Sequence, residues 1–118
     1  MNYLCLVYLD KENWNACSDS SCAAYAQHLQ ERGKLIAGQP LHDIDSATTV
    51  RVRNGQVSIM DGPFAETKEM LAGYYLIEAI DLNEAVRIAA DIPPAKFGSV
   101  EVRPVRELNV TDQVSYQT

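Results

Sequence analysis

An apolar strand followed by an N-capped helix and a further strand occurs twice in this chain. Each apolar run has the length of a strand, and each helix carries its own start and stop signals. The ranges are 3–9, 18–32 and 34–38 in the first half, and 73–80, 81–92 and 98–106 in the second. This alternation is typical of two β-α-β units that share one sheet.

The helix boundaries follow from capping chemistry. Residues 18–20 offer N-cap side chains to the first helix, and Gly33 supplies its C-terminal stop. Residues 81–84 form a capping-box pattern for the second helix, which Pro93-Pro94 ends. The residues predicted to face the core are Cys22, Tyr25, Ala26 and Leu29 in the first helix and Ala85, Val86, Ile88, Ala89 and Ile92 in the second.

A β-hairpin is predicted between the two units. Valines alternate with arginines over 50–53, Asn54-Gly55 is a two-residue turn, and apolar residues alternate again over 57–59. The predicted register pairs Val52 with Val57 and Val50 with Ile59. One side of the hairpin is therefore apolar and the other polar.

The complete order is β-α-β-β-α-β with the hairpin inserted in the middle. It predicts an α+β, ferredoxin-like fold in which two helices cover one face of an antiparallel sheet. The run 3–9 is apolar throughout, as in a central strand buried on both faces. Because the helix-free face would be too apolar for water, we expect a homodimer whose sheets pack face to face.

Length and charge limit the classes of function. With 118 residues, of which 47% are hydrophobic, the chain is expected to form one domain over 1–107 and a frayed polar tail over 108–118. A net charge of −6 argues against binding nucleic acid or an anionic membrane. The absence of a long apolar segment and of a basic leader leads us to expect a cytoplasmic protein.

The chain carries no recognisable cofactor or metal motif. Its three cysteines, Cys5, Cys17 and Cys22, are an odd number without metal-ligand spacing, which favours half-buried thiols over structural disulfides or a zinc site. A phosphate-binding glycine loop and a nucleophile elbow are also missing. We therefore expect neither a cofactor nor a bound metal.

The segment 61–69, DGPFAETKE, lies between the hairpin and the strand 73–80. Together with GYYLI at 73–77 and VEVRPV at 100–105, it closely resembles the DGPF-motif branch of the YCII-related bacterial proteins over about residues 1 to 107. The resemblance implies a dimeric α/β barrel of ferredoxin-like subunits. It also implies a genomic association with extracytoplasmic-function sigma factors, and hence a possible regulatory partner.

The wider family offers a proposed His-Asp dyad, with the histidine on the first helix, and includes a dehydrochlorinase that acts on a chlorinated aromatic. This chain has Ser20, Ser21 and Cys22 in the corresponding region, and its helical His28 lies too near the helix end. The dyad therefore does not transfer. His42 beside Asp43 is a weak substitute, because adjacent residues seldom point at one reacting atom.

Asp61 is the preferred catalytic candidate, since a carboxylate at a strand end can serve as a general base. The alternative is that its side chain caps the turn at Gly62-Pro63 by accepting backbone N–H hydrogen bonds. Glu66 and Lys68 are candidate substrate-binding residues, although solvated loop charges would look the same.

Three aromatic side chains complete the candidates. Tyr8 and Tyr74 are expected to offer phenolic donors to a dimer cavity, although packing is the commoner role for such residues. Phe64, with Gly62 and Pro63, is predicted to hold the loop by burying its ring. These residues predict either cofactor-free lyase or isomerase chemistry on a small polar or aromatic molecule, or a non-catalytic module that meets a protein partner.

Overall fold

The computed structural model describes residues 1–116, which form six strands and two α-helices. In chain order they are β1 (Asn2–Leu9), α1 (Asp19–Glu31), β2 (Leu35–Pro40), β3 (Thr48–Arg53), β4 (Gln56–Asp61), β5 (Met70–Glu78), α2 (Leu82–Ala90) and β6 (Ser99–Pro104). Short 3₁₀ turns lie at Ile44–Ser46 and Pro93–Lys96. The predicted order of elements, with the hairpin inserted in the middle, is confirmed.

Four strands form one antiparallel sheet in the order β2-β5-β1-β6, which is the ferredoxin-like arrangement. β1 and β5 are central, and β6 is an edge strand. Pro104 ends β6, where the missing N–H of proline costs no ladder bond.

The hydrophobic core lies between one face of this sheet and both helices. Alternate residues of β1 from Tyr3 to Leu9 are buried, and they pack with Leu29 of α1 and Ile88 of α2. The intervening residues of β1 are only half-buried. The prediction that β1 is buried on both faces is therefore wrong for a single chain, because both helices cover the same face.

The other face of the sheet, here called the helix-free face, has an apolar centre. Leu4 and Leu6 of β1 lie opposite Leu76 and Tyr74 of β5, and all four side chains are half-buried. Polar residues surround this centre on the edge strands: Gln39 on β2 and Glu101 and Arg103 on β6.

Both helices begin where the sequence predicts. Ser18 is the N-cap of α1, and its Oγ accepts a hydrogen bond of 3.1 Å from the backbone N–H of Ser21. Gly33, with φ of +69°, follows the helix, as a C-terminal stop requires. In α2 the predicted core position Val86 is wrong: its side chain is 49% exposed, because it points away from the buried stripe of Ala85, Ile88 and Ala89.

The carboxylate of Glu84 ties the start of α2 to the rest of the fold. Its Oε1 accepts hydrogen bonds from Lys34 Nζ at 2.9 Å and from the backbone N–H of Ile80 at 3.0 Å. The Asp81 carboxylate caps the helix by accepting from Glu84 N–H at 2.9 Å. The hydrogen bond from Lys34, and then that from Ile80, lower the pKa of Glu84 below its ordinary value of 4.5.

This pKa shift predicts part of the acid sensitivity of the fold. A carboxyl group whose pKa is lower in the folded chain contributes stability above its unfolded pKa and loses that contribution as the pH falls through the folded pKa. Between about pH 6 and about pH 3, wild type should lose more unfolding free energy than Glu84→Gln, as urea titrations at each pH would measure. Equal pH dependence in the two proteins would contradict this role of Glu84.

The inserted hairpin forms its own two-stranded sheet from β3 and β4. Asn54 and Gly55 have φ of +53° and +74°, as a type I′ turn requires. The register pairs Val50 with Ile59 and Val52 with Val57, which confirms the prediction. These four side chains are between 56% and 68% exposed, and we call them the hairpin's apolar face.

The C-terminal segment after β6 forms neither helix nor strand over residues 105–116. The predicted frayed tail extends to residue 118, and residues 117–118 lie outside the described part of the chain. Within residues 1–116, neither α-helix has the length and hydrophobicity needed to cross a bilayer.

Candidate functional site

A cleft opens where β1 and β4 end and β5 begins. It has a lobe of about 370 Å³ beside the 61–69 loop and an adjoining lobe of about 300 Å³ beside the β1–α1 loop. Both lobes are lined by Lys11, Ile44, Asp45 and Met70. We call the two lobes together the loop cleft.

The first residues of the 61–69 loop are fixed to the base of the hairpin. Gly62 N–H donates to the carbonyl of Ala47 at 2.7 Å, and Thr49 Oγ1 donates to the Gly62 carbonyl at 2.8 Å. Gly62 has φ of +105°, which an L side chain rarely adopts. This backbone holds Asp61, Gly62 and Pro63 against the larger lobe.

The end of the loop is fixed to the main sheet. Ser99 Oγ on β6 donates to Glu69 Oε1 at 2.7 Å, and Thr67 N–H approaches Met70 Sδ at 3.2 Å. Glu69 therefore has a structural partner, whereas Glu66 and Thr67 line the larger lobe. With both ends of the loop anchored, one wall of the cleft is formed by five of its residues: Asp61, Gly62, Pro63, Glu66 and Thr67.

Asp61 lies at the end of β4, exposed, with its residue on the wall of the larger lobe. Among residues 1–116 no backbone or side-chain donor forms a hydrogen bond to its carboxylate, so the alternative of a turn-capping Asp61 finds no support. In the turn that follows, Gly62 N–H donates to the Ala47 carbonyl instead, and Pro63 has no N–H to donate. The Asp61 carboxylate is thus available to a ligand that donates hydrogen bonds.

The loop cleft is acidic, with an apolar floor. The larger lobe has carboxylates from Asp45, Asp61 and Glu66, and Lys11 is the only cationic residue that lines either lobe. The apolar lining comes from Ile44, Met70, Pro63, Leu9 and Trp14. Within residues 1–116 no three potential ligands are grouped closely enough to hold a metal ion. The lining suits a small molecule with hydroxyl or amine donors on an apolar body.

Three of the predicted substrate-binding residues lie outside this cleft. Lys68 is exposed and does not line it. Tyr8 and Tyr74 lie on the helix-free face, where Tyr8 Oη donates to Glu101 Oε1 at 3.3 Å. Burial, and then the charge of Glu101, raise the pKa of the Tyr8 hydroxyl. Of the predicted site residues, only Asp61, Glu66 and the turn at Gly62-Pro63 line the cleft.

The prediction that Phe64 buries its ring is wrong for the single chain. The side chain is 73% exposed, and the guanidinium of Arg51 lies over the ring, 5.2 Å from its centroid. Arg51 Nε is buried without a hydrogen-bond partner among the described residues. The loop lies beside the hairpin rather than over the core, so the ring stacks on a cation instead of entering apolar packing.

Sequence reasoning missed most of the residues that line the opposite side of the cleft: Lys11, Trp14, Asn15, Ile44 and Asp45. Asp43, which also lines it, was considered only as the neighbour of His42. These residues come from two loops far from residue 61 in the sequence. The available signal was the single tryptophan of the chain in a polar loop beside Lys11. Neither His28 nor His42 lines the cleft, in agreement with the low weight given to them.

Comparisons with known proteins identify the family and the fold of this chain. A family model described as YCII-related domain matches residues 1–109. An uncharacterized protein of Rhizobium meliloti (strain 1021) is 39% identical over 114 residues, which cover 89% of this chain and 92% of that protein. Among solved structures, a 5-chloro-2-hydroxyhydroquinone dehydrochlorinase from Burkholderia phenoliruptrix, in complex with 2,5-dihydroxybenzoquinone, is similar in fold. Its TM-score is 0.55 and its identity 18%, over 90% of this chain and 94% of that one.

Proposed function

Because this chain belongs to the YCII-related family, we propose that it is a homodimer that binds a small molecule in the loop cleft, with Asp61 as the carboxylate that meets the ligand. The observation that carries the proposal is the free carboxylate of Asp61 on the wall of a cleft of about 370 Å³. A cleft of this size accepts a molecule of metabolite dimensions.

The lining of the cleft narrows the class of ligand. Four acidic residues line the two lobes, Asp43, Asp45, Asp61 and Glu66, against the single ammonium of Lys11. This excess of negative charge favours a ligand that donates hydrogen bonds or carries positive charge, and disfavours an anion. Trp14, Ile44 and Met70 favour a flat or apolar body. A hydroxylated ring or an aromatic amine satisfies both requirements. The dehydrochlorinase of similar fold was solved with a dihydroxybenzoquinone, so a small ring is compatible with this fold.

Proton transfer is the chemistry that this arrangement supports best. Asp61, as a general base, would take a proton from a C–H or O–H group of the ligand, and Lys11 would offset the charge that develops on the ligand. Abstraction of a proton begins both elimination and isomerisation, the two reaction types proposed here. Asp61 is the predicted catalytic residue that lines the cleft, so substituting this one residue tests the proposed chemistry.

The proposed homodimer rests on the helix-free face. Its apolar centre of leucines and Tyr74, surrounded by Gln39, Glu101 and Arg103, has the apolar core and polar rim of an interface. Two copies packed through this face would form the dimeric α/β barrel of the family resemblance. Tyr8 and Tyr74 would then contribute to the interface rather than to the loop cleft.

A second candidate function is docking to a protein partner. The hairpin's apolar face has no cover among residues 1–116, and a patch of four exposed β-branched side chains is a common feature of protein interfaces. In this alternative the chain is a non-catalytic regulatory module. The partner suggested by the family resemblance is an extracytoplasmic-function sigma factor.

The experiment that tests the small-molecule proposal is a thermal-shift screen of wild type and Asp61→Asn against hydroxylated aromatics and amines. A ligand at 100 times its dissociation constant should raise the stability of wild type by about 2.7 kcal/mol. Loss of a charge-assisted hydrogen bond should weaken binding to Asp61→Asn by about tenfold or more. Asp112→Asn, which makes the same charge change in the C-terminal segment, is the control and should bind like wild type.

The outcomes separate the two functions. A ligand that binds wild type and Asp112→Asn but not Asp61→Asn supports the cleft and provides a compound for turnover assays. A ligand that binds all three equally contradicts the role of Asp61. If no compound binds any of the three proteins, docking becomes the preferred function, and binding of a purified sigma factor to wild type but not to a hairpin variant would support it.

A further inference from the structure

Cys17 and Cys22 occupy the two positions that a helix start brings into contact. With Ser18 as the N-cap, Cys17 is the residue just before the cap and Cys22 is the fourth helical residue. The Cys22 N–H donates to the Ser18 carbonyl at 3.2 Å, which is the first full turn of α1. In most proteins these positions hold two apolar side chains that pack together as a hydrophobic staple. Here the staple consists of two thiols.

The two sulfur atoms are already neighbours in the folded chain. Cys22 Sγ lies 3.8 Å from Cys17 Sγ, and both residues are half-buried rather than enclosed. A disulfide needs a separation of about 2.05 Å, so the two sulfurs must move closer by about 1.8 Å for the bond to form. Cys5, the third cysteine, is buried in β1 and lacks this contact. The chain thus has one close dithiol and one isolated thiol.

We propose that Cys17 and Cys22 form a reversible redox pair, which hydrogen peroxide oxidises to a disulfide that fastens the β1–α1 loop to the first turn of α1. Cys22 donates its S–H to Cys17, so Cys17 is the attacking sulfur. Its thiolate attacks one peroxide oxygen, the O–O bond breaks, and hydroxide leaves and is protonated to water. The Cys22 sulfur then attacks the sulfenic sulfur, forming the S–S bond and releasing a second water.

With hydrogen peroxide as the oxidant, the electrons and protons of this reaction balance. Two thiols lose two electrons and two protons, and one peroxide becomes two waters. Burial, and then the hydrogen bond to Cys17, raise the pKa of Cys22 to about 11, which makes Cys22 a poor first attacker. In the second step the Cys22 thiol gives its proton to the hydroxyl that leaves as water. A dithiol reductant reverses the oxidation by exchange at the same two sulfurs.

The redox pair would act on the same loop that lines the smaller lobe of the cleft. Lys11, Trp14 and Asn15 lie on that loop, a few residues before Cys17. A disulfide would hold the C-terminal end of the β1–α1 loop against the first turn of α1 and limit the movement of that loop away from the helix. The oxidation itself does not depend on the proposed ligand, so it can be tested without one.

Tryptic peptide mapping tests this proposal directly. Cleavage after Lys11 and Arg32 places both cysteines on the peptide 12–32 and leaves Cys5 on the peptide 1–11. After treatment of the native protein with peroxide and blocking of free thiols, the peptide 12–32 should be two hydrogens lighter and carry no blocking group. Dithiothreitol should restore both thiols, while the peptide 1–11 stays reduced throughout.

Comparing the rate of disulfide formation in native and denatured protein shows whether the fold brings the two cysteines together, or whether their closeness in sequence is enough. The disulfide should form about tenfold faster, or more, in the native protein than in guanidinium, because α1 holds the sulfurs in contact. Ser18→Ala keeps both thiols but removes the N-cap bond, and should slow oxidation toward the denatured rate. Ser20→Ala, in the same turn but without a capping bond, should oxidise like wild type.

Three results would overturn the proposal. They are a peptide 12–32 that gains oxygen atoms instead of losing two hydrogens, a dithiol that persists under peroxide, and a native rate no faster than the denatured one. Each would identify the two cysteines as an ordinary staple of small apolar side chains.

Discussion

Leu6→Glu is expected to convert the proposed dimer to a monomer in solution. Leu6 lies at the centre of the helix-free face, between Tyr74 on β5 and Glu101 on β6. In a two-fold interface each substitution occurs twice, so two added carboxylates would be buried against an apolar surface. Burying an unpaired charge costs several kcal/mol, and about 4 kcal/mol corresponds to a dissociation constant roughly 1,000-fold higher.

Sedimentation velocity over a range of concentrations measures this change. In the single chain Leu6 is half-buried on a face without helices, so the folded monomer has room to turn a glutamate toward water. Far-ultraviolet circular dichroism should therefore match wild type. This second measurement distinguishes a dissociated dimer from an unfolded chain.

Val57→Glu is the matched control for the same charge change. Val57 lies on the hairpin's apolar face, is 65% exposed, and has no part in the helix-free face. This variant should remain dimeric. A wild-type protein that is monomeric at every concentration, or a dimeric Leu6→Glu, would contradict packing through the helix-free face. Dissociation by Val57→Glu alone would assign the interface to the hairpin.

The sequence predicted the parts of this fold that local chemistry decides. Asn54-Gly55 fixes the hairpin register because both residues must adopt positive φ, and few other dipeptides do so readily. Ser18 and Asp81 fix the helix starts because their side chains satisfy N–H groups that the helix leaves open. The hairpin turn and the two helix starts do not depend on residues far away in the sequence.

The candidate site was only partly predictable, because it is assembled from distant loops. Asp61 and Glu66 belong to a distinctive loop and were found there. Lys11 and Asp45 face them only because β1 lies beside β5 and the loops at that end of the sheet converge. No local pattern in a polar loop indicates which other loop it will meet.

The surroundings of the aromatic residues depend on two features of the fold: which face of the sheet the helices cover, and where the 61–69 loop runs. Tyr8 and Tyr74 lie away from the cleft because of the strand parity, which places even-numbered residues of β1 on the helix-free face. Phe64 was predicted to hold its loop by burying the ring, yet the loop runs beside the hairpin, where the ring lies against Arg51. An aromatic side chain predicts burial only where the backbone passes over a core.

Gly98→Ala is expected to produce the largest loss of stability among conservative substitutions in this chain. A Cβ at Gly98 would overlap the carbonyl oxygen of Tyr8, and it would lie 2.9 Å from Leu9 Cδ2 and 3.1 Å from the Tyr8 carbonyl carbon. These obstacles are mainly backbone of β1, a central strand bonded on both sides, so they cannot move aside cheaply. The expected cost is about 3 kcal/mol or more, out of a total stability of about 5–15 kcal/mol.

Urea denaturation of wild type, Gly98→Ala and Ser99→Ala measures that cost. Ser99→Ala, the matched neighbour, removes only the hydrogen bond from Ser99 Oγ to Glu69 and should cost about 1 kcal/mol. A Gly98→Ala protein as stable as Ser99→Ala would show that β6 can shift along β1 without penalty.

The result also bears on function: Tyr8 is followed by Leu9 and Lys11, so a displaced strand end would move one wall of the loop cleft. Gly98→Ala should therefore also lower the affinity for any ligand that Asp61 binds, although residue 98 does not line the cleft.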